Sequence, residues 1–256
     1  MAAIHEYIVE LVEREAGGTD IALLDYGCGA GEIVHIACER GIDASGADIF
    51  YEGGSYRHQA EQTGLLNDRI FEMKEGVVPF ADAHFDVVVS NQVFEHIDDF
   101  TQPLNEVTRV LRPGGLFINL FPSKMVWREG HIGIPFAHWF DKQSSLRHYY
   151  TLILRSLGAG YNKNNYSPRD WARVNLAWID QWTFYKPRSE VMLWFGTRYD
   201  VKDKANDYFR YRLKRHPRLR VLAGAFELSV FDWMASYLCQ CLAGHVFVMT
   251  KKGETP

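Results

Sequence analysis

The segment LLDYGCGAGEI (residues 23–33) joins an apolar run to a turn with three glycines. The run predicts a buried strand, and ligands of open α/β sheets bind just beyond the C-terminal ends of such strands. Gly27, Gly29 and Gly31 are spaced two apart, whereas a dinucleotide-binding turn needs its third glycine one position later. Glu32 stands there instead, and no Lys followed by Ser or Thr completes a phosphate-binding loop. The spacing therefore argues against a dinucleotide and a nucleoside triphosphate.

The charge of the same turn indicates what it binds instead. Asp25 ends the apolar run and Glu32 follows the last glycine, so both carboxylates would repel a pyrophosphate. A cationic or zwitterionic ligand is favoured.

The first half of the chain alternates apolar strand patterns with amphipathic helical patterns. Helices are expected in 1–18, 31–41 and 103–115, the last with Leu104, Val107 and Leu111 on one face and Pro-Gly-Gly as its stop. Such alternation predicts a doubly wound, mostly parallel sheet. The expected strands are residues 21–27, 43–49, 69–73, 85–91 and 116–121.

The second half departs from this alternation. Residues 122 to about 196 are dense in Trp, Tyr, His and Arg, and we expect a largely helical insertion over the C-terminal edge of the sheet. Residues 197–217 then predict a short strand and a helix, and 244–252 predict a last strand. Residues 221–244 are long enough to span a bilayer, but their polar residues favour a buried or interfacial helix: Glu227, Asp232 and Gln240.

The whole chain is expected to be one domain, with its core in 1–121 and about 197–256. It has 256 residues and a net charge of −4, which argues against a general nucleic-acid binder. Its N-terminus lacks the basic start and apolar stretch of a signal peptide, and its four cysteines have no zinc spacing. We expect a reduced, cytoplasmic setting without stable membrane insertion. Peripheral membrane contact and the oligomeric state stay open.

Four motifs together identify a family. DYGCGAG (25–31), GADI (46–49), VPFADAHFDVVVSNQVFEH (78–96) and LRPGG (111–115) resemble the class I S-adenosylmethionine (SAM)-dependent methyltransferases over residues 21 to about 121. The resemblance implies a Rossmann-like, seven-stranded, mostly parallel sheet with the helical insertion after strand 5. It also implies SAM as methyl donor and S-adenosylhomocysteine as product.

The resemblance also assigns the cofactor site. The methionine end of SAM is expected over the glycine turn, with Asp25 organising the loop or the ligand's ammonium group. Asp48 is expected to accept hydrogen bonds from both ribose hydroxyls, since a carboxylate has two acceptor oxygens. Asn91 and Gln92 either line the methionine arm or simply cap a strand. The full expected set is Asp25, Gly27, Cys28, Gly29, Gly31, Asp48, Ile49, Met73, Lys74, Glu75, Asn91 and Gln92.

The adenine side departs from the family pattern. Many relatives carry an acid where this chain has Lys74, and a lysine cannot accept a hydrogen bond from the adenine amino group. Glu75, or the backbone around Met73 and Lys74, is the expected substitute.

Three histidines are candidate bases for a hydroxyl acceptor: His96, His131 and His138. His96 either acts as a base or packs against the cofactor. The other two either line an acceptor pocket or sit in the core of a helical lid. Trp127, Phe136 and Trp139, with Arg128 nearby, either form an aromatic wall of that pocket or are core aromatics of the lid. No metal site is predicted, because no carboxylate shares a ligand spacing with His131, His138 and His148.

The expected reaction is methylation of a small-molecule hydroxyl on a sugar, glycan or natural product. The alternatives are N- or C-methylation of a lipid-like or aromatic metabolite, or an inactive SAM-binding protein. A run of basic residues either forms a solvated helix end or docks a phosphate-bearing or membrane-associated acceptor: Arg210, Arg212, Lys214, Arg215, Arg218 and Arg220.

Overall fold

The structure is a computed structural model that describes residues 2–51, 55–163 and 166–253. Its strands are β1 (Ala22–Tyr26), β2 (Asp43–Asp48), β3 (Ile70–Glu72), β4 (Phe85–Asn91), β5 (Leu111–Phe121), β6 (Tyr199–Asp203) and β7 (His245–Lys251). Its helices are α1 (Ala2–Ala16), α2 (Glu32–Glu39), α3 (Tyr56–Gln62), α4 (Thr101–Val110), α5 (Ser145–Ser156), α6 (Pro168–Trp182), α7 (Arg188–Gly196), α8 (Ala205–Arg215), α9 (Ala223–Phe226) and α10 (Asp232–Leu242).

In these described residues the strands form one seven-stranded sheet in the order β3-β2-β1-β4-β5-β7-β6. The five strands from β3 to β5 are parallel, and β7 runs antiparallel to both of its neighbours. The predicted fold class is therefore confirmed. From β1 the chain continues to β2 and β3 on one side of the sheet, and from β4 it continues to β5 on the other side. The strand order therefore reverses between β1 and β4, and open α/β sheets bind ligands at such a point.

Two apolar cores cover the two faces of the sheet. One face packs against α1, α2, α8 and α10, and the other packs against α4 and α7. The centre of β4, Val87 to Val89, is buried on both sides, as expected for a parallel strand covered by two helical layers. The sheet is thus a rigid support for the loops at its C-terminal edge.

The segment between β5 and β6 has a third, separate core. Ile132 and Ile134 pack there against Trp171, Leu176 and Ile179 of α6. The residues described in this segment contain helices and turns and contribute no strand to the sheet. The division of the chain into a core and an insertion at about 122–196 stays a prediction.

Two predicted helices are wrong in detail. Leu111 does not lie on the helix but begins β5, because α4 ends at Val110. Residues 221–244 do not form one long helix: they are broken into short turns before α10, and several of their apolar side chains are exposed. Among the described helices, none is both long and apolar enough to cross a membrane.

Candidate active site

The glycine turn follows β1 and leads into α2. Gly27, Gly29 and Gly31 all have positive φ angles, of 78°, 55° and 89°, which L-residues with side chains rarely adopt. A Cβ atom on Gly27 or Gly31 would lie 2.4 Å from Val93 or 2.3 Å from Ile70, whereas a Cβ on Gly29 would meet nothing closer than 3.7 Å. Two of the glycines are therefore required by packing, and Gly29 presents open backbone.

Asp48 ties the end of β2 to this turn. Its two carboxylate oxygens accept hydrogen bonds from the N–H groups of Gly29 (2.9 Å) and Phe50 (2.8 Å). Each oxygen keeps a second lone pair for a ligand. Asp48 thus has a structural role that the sequence did not indicate, and its contact with a ribose stays a prediction.

Asp25 is buried at the end of β1, and its Oδ1 atom has no hydrogen-bond partner among the described residues. Burial raises the pKa of Asp25 well above its usual range, and the charges of Asp48 and Glu32 add to the effect. Ser90 and Asn91, at the end of β4, also have buried side-chain oxygens without partners. Buried oxygens without hydrogen-bond partners, close to several acids, fit a ligand with a positively charged hydrogen-bond donor, such as the ammonium group of SAM.

The remaining predicted cofactor residues surround this edge of the sheet. Cys28 and Met73 are buried, and the Met73 N–H donates to the carbonyl of Asp48 at 2.8 Å. Gln92 follows β4 in a left-handed conformation with φ 58°. The other three side chains are exposed, and nothing in their contacts shows how adenine is held: Ile49, Lys74 and Glu75.

Two of the three candidate histidines meet beyond the end of β4. The ring centroids of His96 and His131 are 5.0 Å apart. Nδ1 of His96 lies 2.7 Å from the carbonyl oxygen of Trp182, and Nδ1 of His131 lies 2.8 Å from Oε1 of Glu129. Both partners accept hydrogen bonds only, so each Nδ1 is the protonated nitrogen and each Nε2 keeps its lone pair.

Two buried glutamates belong to the same cluster. Glu129 accepts hydrogen bonds from the Tyr185 hydroxyl (2.6 Å) and the N–H of Ile132 (2.6 Å). Glu95 is 1% exposed, and neither of its carboxylate oxygens has a partner among the described residues. Burial raises the pKa of Glu95 to about 7. One ligand atom from each of Glu95, His96 and His131 lies within 4.8 Å of the others.

The two histidines differ in basicity. Burial lowers the pKa of His96, so its ring is neutral at neutral pH. Burial also acts to lower the pKa of His131, but the hydrogen bond and charge of Glu129 outweigh it and raise that pKa. The pKa of Glu129 is lowered in turn, because the contact with His131 outweighs its own burial. The pair is therefore organised to hold a proton on His131.

His138 packs against Tyr185, with the two ring centroids 4.7 Å apart. Burial lowers the pKa of His138 to about 4. It also lines a cleft of about 390 Å³ between the helical segment and the loops that follow β4 and β5. Charged and hydroxyl-bearing side chains predominate in the lining: Asp98, Lys124, His138, Phe140, Asp141, Lys142, Arg147, Ile179, Asp180, Thr183, Phe184, Tyr185, Lys186 and Glu190.

Other aromatic side chains than the predicted ones lie beside His96 and His131. The ring of Trp178 lies 5.3 Å from His131 and 6.3 Å from His96, and Trp182 lies 6.0 Å from Tyr51, just after β2. Three residues predicted for the wall are exposed: Trp127, Phe136 and Trp139. Arg128 instead stacks over the ring of Tyr161. His148 lies half-buried on α5, beside Tyr149.

Sequence reasoning missed four residues of this site. They are Glu95, Glu129, Trp178 and Tyr185. Glu129 stands two positions before His131, and Glu95 directly precedes His96, so a search for acids beside each candidate histidine would have found both. Trp178 and Tyr185 gave no such signal.

Most residues of the basic run at 210–220 find partners within the chain. Arg210 pairs with Asp232, Lys214 with Glu227, and Arg215 with Glu10. Arg212 stacks over Tyr208. These contacts favour the solvated helix end, and docking of an acceptor there stays a prediction.

Known proteins share the part of the chain that carries the glycine turn. Residues 24–119 match a family model described as a methyltransferase domain. Over these residues the chain is similar to SAM-dependent methyltransferases of class I. Enzymes of this family use SAM as methyl donor and release S-adenosylhomocysteine.

Two curated relatives agree with this assignment. A probable S-adenosylmethionine-dependent methyltransferase of Mycolicibacterium smegmatis is 31% identical over 126 residues, which cover 49% of this chain and 47% of that protein. A ubiquinone biosynthesis O-methyltransferase of Yersinia pestis is 27% identical over 106 residues, which cover 41% and 44%. The chain thus spans less than half the length of the curated relatives it matches.

Solved structures show the same fold. The YcgJ protein of Bacillus subtilis is similar with a TM-score of 0.51 and 16% identity, covering 98% of this chain and all of that one. A SAM-dependent methyltransferase of Mesorhizobium loti has a TM-score of 0.51 and 15% identity, covering 91% of each chain. At such identities the likeness concerns the fold alone.

Proposed function

We propose that this protein transfers a methyl group from SAM to a hydroxyl oxygen of a small, polar acceptor, such as a sugar, a glycan end or a hydroxylated natural product. The observation that carries the proposal is the hydrogen-bonded pair of Glu129 and His131 beside His96. The pair lies at the edge of the sheet that carries the glycine turn. A hydroxyl must lose its proton during methylation, whereas a neutral amine or an activated carbon needs mainly positioning.

The donor side of the reaction needs little chemistry from the protein. SAM brings a methyl group on a sulfonium leaving group, so the chain must orient it. The open backbone at Gly29, the orphaned Oδ1 of Asp25 and the carboxylate of Asp48 are the groups that would hold it. The carboxylate of Asp48 favours the cationic donor over the product, which has lost the sulfonium charge.

The acceptor side must take up a proton. His131 donates its Nδ1–H to Glu129, which leaves Nε2 free to accept the hydroxyl proton while the carboxylate stabilises the resulting imidazolium. His96 has the same arrangement towards the Trp182 carbonyl, so it offers a second neutral acceptor. His138, with a pKa lowered to about 4, is the weaker base of the three and lines the cleft.

The cleft adjoins the cluster through Tyr185, which lines it and donates to Glu129, and as the acceptor site it supports a polar acceptor over a lipid-like one. Charged and hydroxyl groups around three aromatic rings suit the hydroxyls and apolar faces of a sugar, whereas a hydrocarbon chain would leave those polar groups unpaired. The relative named for O-methylation in ubiquinone biosynthesis also supports transfer to oxygen. N- or C-methylation is the runner-up.

The test is transfer of a labelled methyl group from SAM into fractionated metabolite pools. We expect label in a polar, hydroxylated fraction, with release of S-adenosylhomocysteine and little label in a matched lipid extract. Label only in the lipid extract would contradict the acceptor class. Intact SAM binding without transfer into any pool would favour an inactive SAM-binding protein.

A further inference from the structure

The cluster of Glu95, His96 and His131 has the composition of a metal site. Glu95 and His96 come from the short turn after β4, and His131 comes from the segment after β5. Their ligand atoms lie within 4.8 Å of one another. Within residues 2–51, 55–163 and 166–253 it is the only such group of three His, Cys, Asp or Glu side chains.

The cluster also contains a buried carboxyl group without a partner in the described part of the chain. Glu95 is 1% exposed, and both of its carboxylate oxygens lack a hydrogen-bond partner among the described residues. Glu129 is fully buried beside it in the same network. The buried Lys186 pairs with Asp98 and Glu190 instead. Buried carboxylates are costly unless paired or bound to a metal, and a metal ion would supply the partner that Glu95 lacks.

The histidines are held as metal ligands usually are. A ligating histidine donates its second ring N–H to a carboxylate or a backbone carbonyl, which fixes the ring and directs a lone pair at the metal. His131 makes the first kind of contact with Glu129, and His96 makes the second with Trp182. Tyr185 in turn fixes Glu129. These hydrogen bonds support a metal site independently of the distances between the three ligand atoms.

We propose that Glu95, His96 and His131 bind one divalent transition-metal ion, such as zinc, manganese or iron(II). Two imidazoles and one carboxylate suit these ions, whereas magnesium and calcium prefer sites made of oxygen ligands alone. Ligand bonds of about 2.1 Å require the donor atoms to lie roughly 3.0 to 3.4 Å apart, so small side-chain rotations complete the set.

Three protein ligands leave coordination positions open, which is typical of catalytic metal sites. With an ion bound, the Nε2 lone pair of His131 would coordinate the metal instead of acting as the base, and the ion would lower the pKa of a coordinated hydroxyl so that its proton passes to water. The acceptor would then be one that offers an oxygen to the metal, such as a sugar diol. This use of the site rests on the proposed function, whereas metal binding itself does not.

The experiment is titration of the chelator-treated, full-length protein with Zn²⁺ and Co²⁺, followed by calorimetry and by the visible absorption of Co²⁺. It needs neither SAM nor acceptor, so its failure is distinct from failure of the proposed methyl transfer. We expect one tight site per chain and weaker binding of Mg²⁺. Glu95→Gln and His131→Gln should each weaken Zn²⁺ binding about 100-fold, and Glu129→Gln about 10-fold.

The matched control is His35→Gln. His35 is an exposed histidine on α2 whose Nε2 lies 3.4 Å from the carboxylate of Glu39, so it represents adventitious surface binding. Its loss should leave the tight site unchanged. Equal Zn²⁺ affinity in the wild type, Glu95→Gln and His131→Gln would overturn the proposal. So would loss of the tight site in His35→Gln, because the bound Zn²⁺ would then lie at the surface pair of His35 and Glu39. His131 is partly exposed, so its variant keeps the test informative if Glu95→Gln fails to fold.

Discussion

The glycine turn and the histidine cluster occupy the same edge of the sheet but are built differently. The turn is a short continuous segment, residues 27–31, whose positive φ angles require glycine. The cluster combines side chains from 95 to 185, held by hydrogen bonds between distant segments. A donor that a whole family shares can be held by local backbone geometry, whereas an individual acceptor needs a surface assembled from the rest of the chain.

Both regions contain a buried carboxyl group with an oxygen that has no hydrogen-bond partner among the described residues. The residues around each carboxyl group indicate different roles. Asp25 lies near two further acids, Asp48 and Glu32, which suits an organic cation. Glu95 lies near His96 and His131, whose lone pairs suit a metal ion or a proton. Variants in one region should therefore change donor binding, and variants in the other should change turnover.

The largest expected effect is on turnover. His131→Gln should lower kcat/KM for methyl transfer by about 10²- to 10⁴-fold while the Kd for SAM stays within about twofold, because the group that activates the hydroxyl is lost. Steady-state kinetics and calorimetry measure the two quantities. His148→Gln, on α5, is the control and should match the wild type. A parallel loss of SAM affinity in His131→Gln would break the separation between the regions.

The next effect is on donor binding. Asp48→Ala should raise the Kd for SAM by roughly 10- to 100-fold, because it removes a charged acceptor and releases the N–H of Gly29. Calorimetry measures it. Asp43→Ala, at the opposite end of β2 and paired with Arg69, is the matched control. Unchanged SAM affinity in Asp48→Ala would remove Asp48 from the donor site.

A smaller effect is expected on acceptor binding. Trp178→Ala should raise the KM for the acceptor about tenfold with little change in SAM affinity, since its ring lies beside both histidines and is 42% exposed. Trp233→Ala, on α10 and 71% exposed, controls for loss of a surface tryptophan. If the two variants behave alike, Trp178 does not contact the acceptor.

The smallest effect concerns a buried histidine outside both regions. His245 stacks on Phe247 in the core, and burial lowers its pKa to about 3. A pKa below the unfolded value of about 6.5 stabilises the protein above that pH, and the stability is lost as the pH falls towards 3. Between pH 7.5 and 5.5 the free energy of unfolding should fall by roughly 1 kcal/mol from this group.

Urea unfolding at the two pH values measures that fall. His245→Phe should remove it and leave SAM affinity and turnover unchanged. An equal pH dependence in wild type and variant would show that His245 does not set it.

The fold and the conformation of the glycine turn were largely predictable because their signals are local. The alternation of apolar runs and helical patterns predicted the sheet, and the glycine spacing predicted the turn. Leu111 was misplaced because an apolar residue between a helix and a strand fits either pattern. Glu129 and Tyr185 were missed because their roles depend on tertiary contacts with each other and with His131. The exposure of Trp127 and Trp139, which argues against core aromatics, likewise follows from packing rather than spacing.

The central claim is that the histidine cluster activates a hydroxyl of the acceptor, so that its oxygen receives the methyl group of SAM. The most direct measurement is the carbon-13 NMR spectrum of the product formed from SAM labelled in its methyl carbon. We predict a methyl ether resonance that is lost with His131→Gln and kept with His148→Gln. A labelled N-methyl or C-methyl resonance, or a methyl ether that persists in His131→Gln, would contradict the claim.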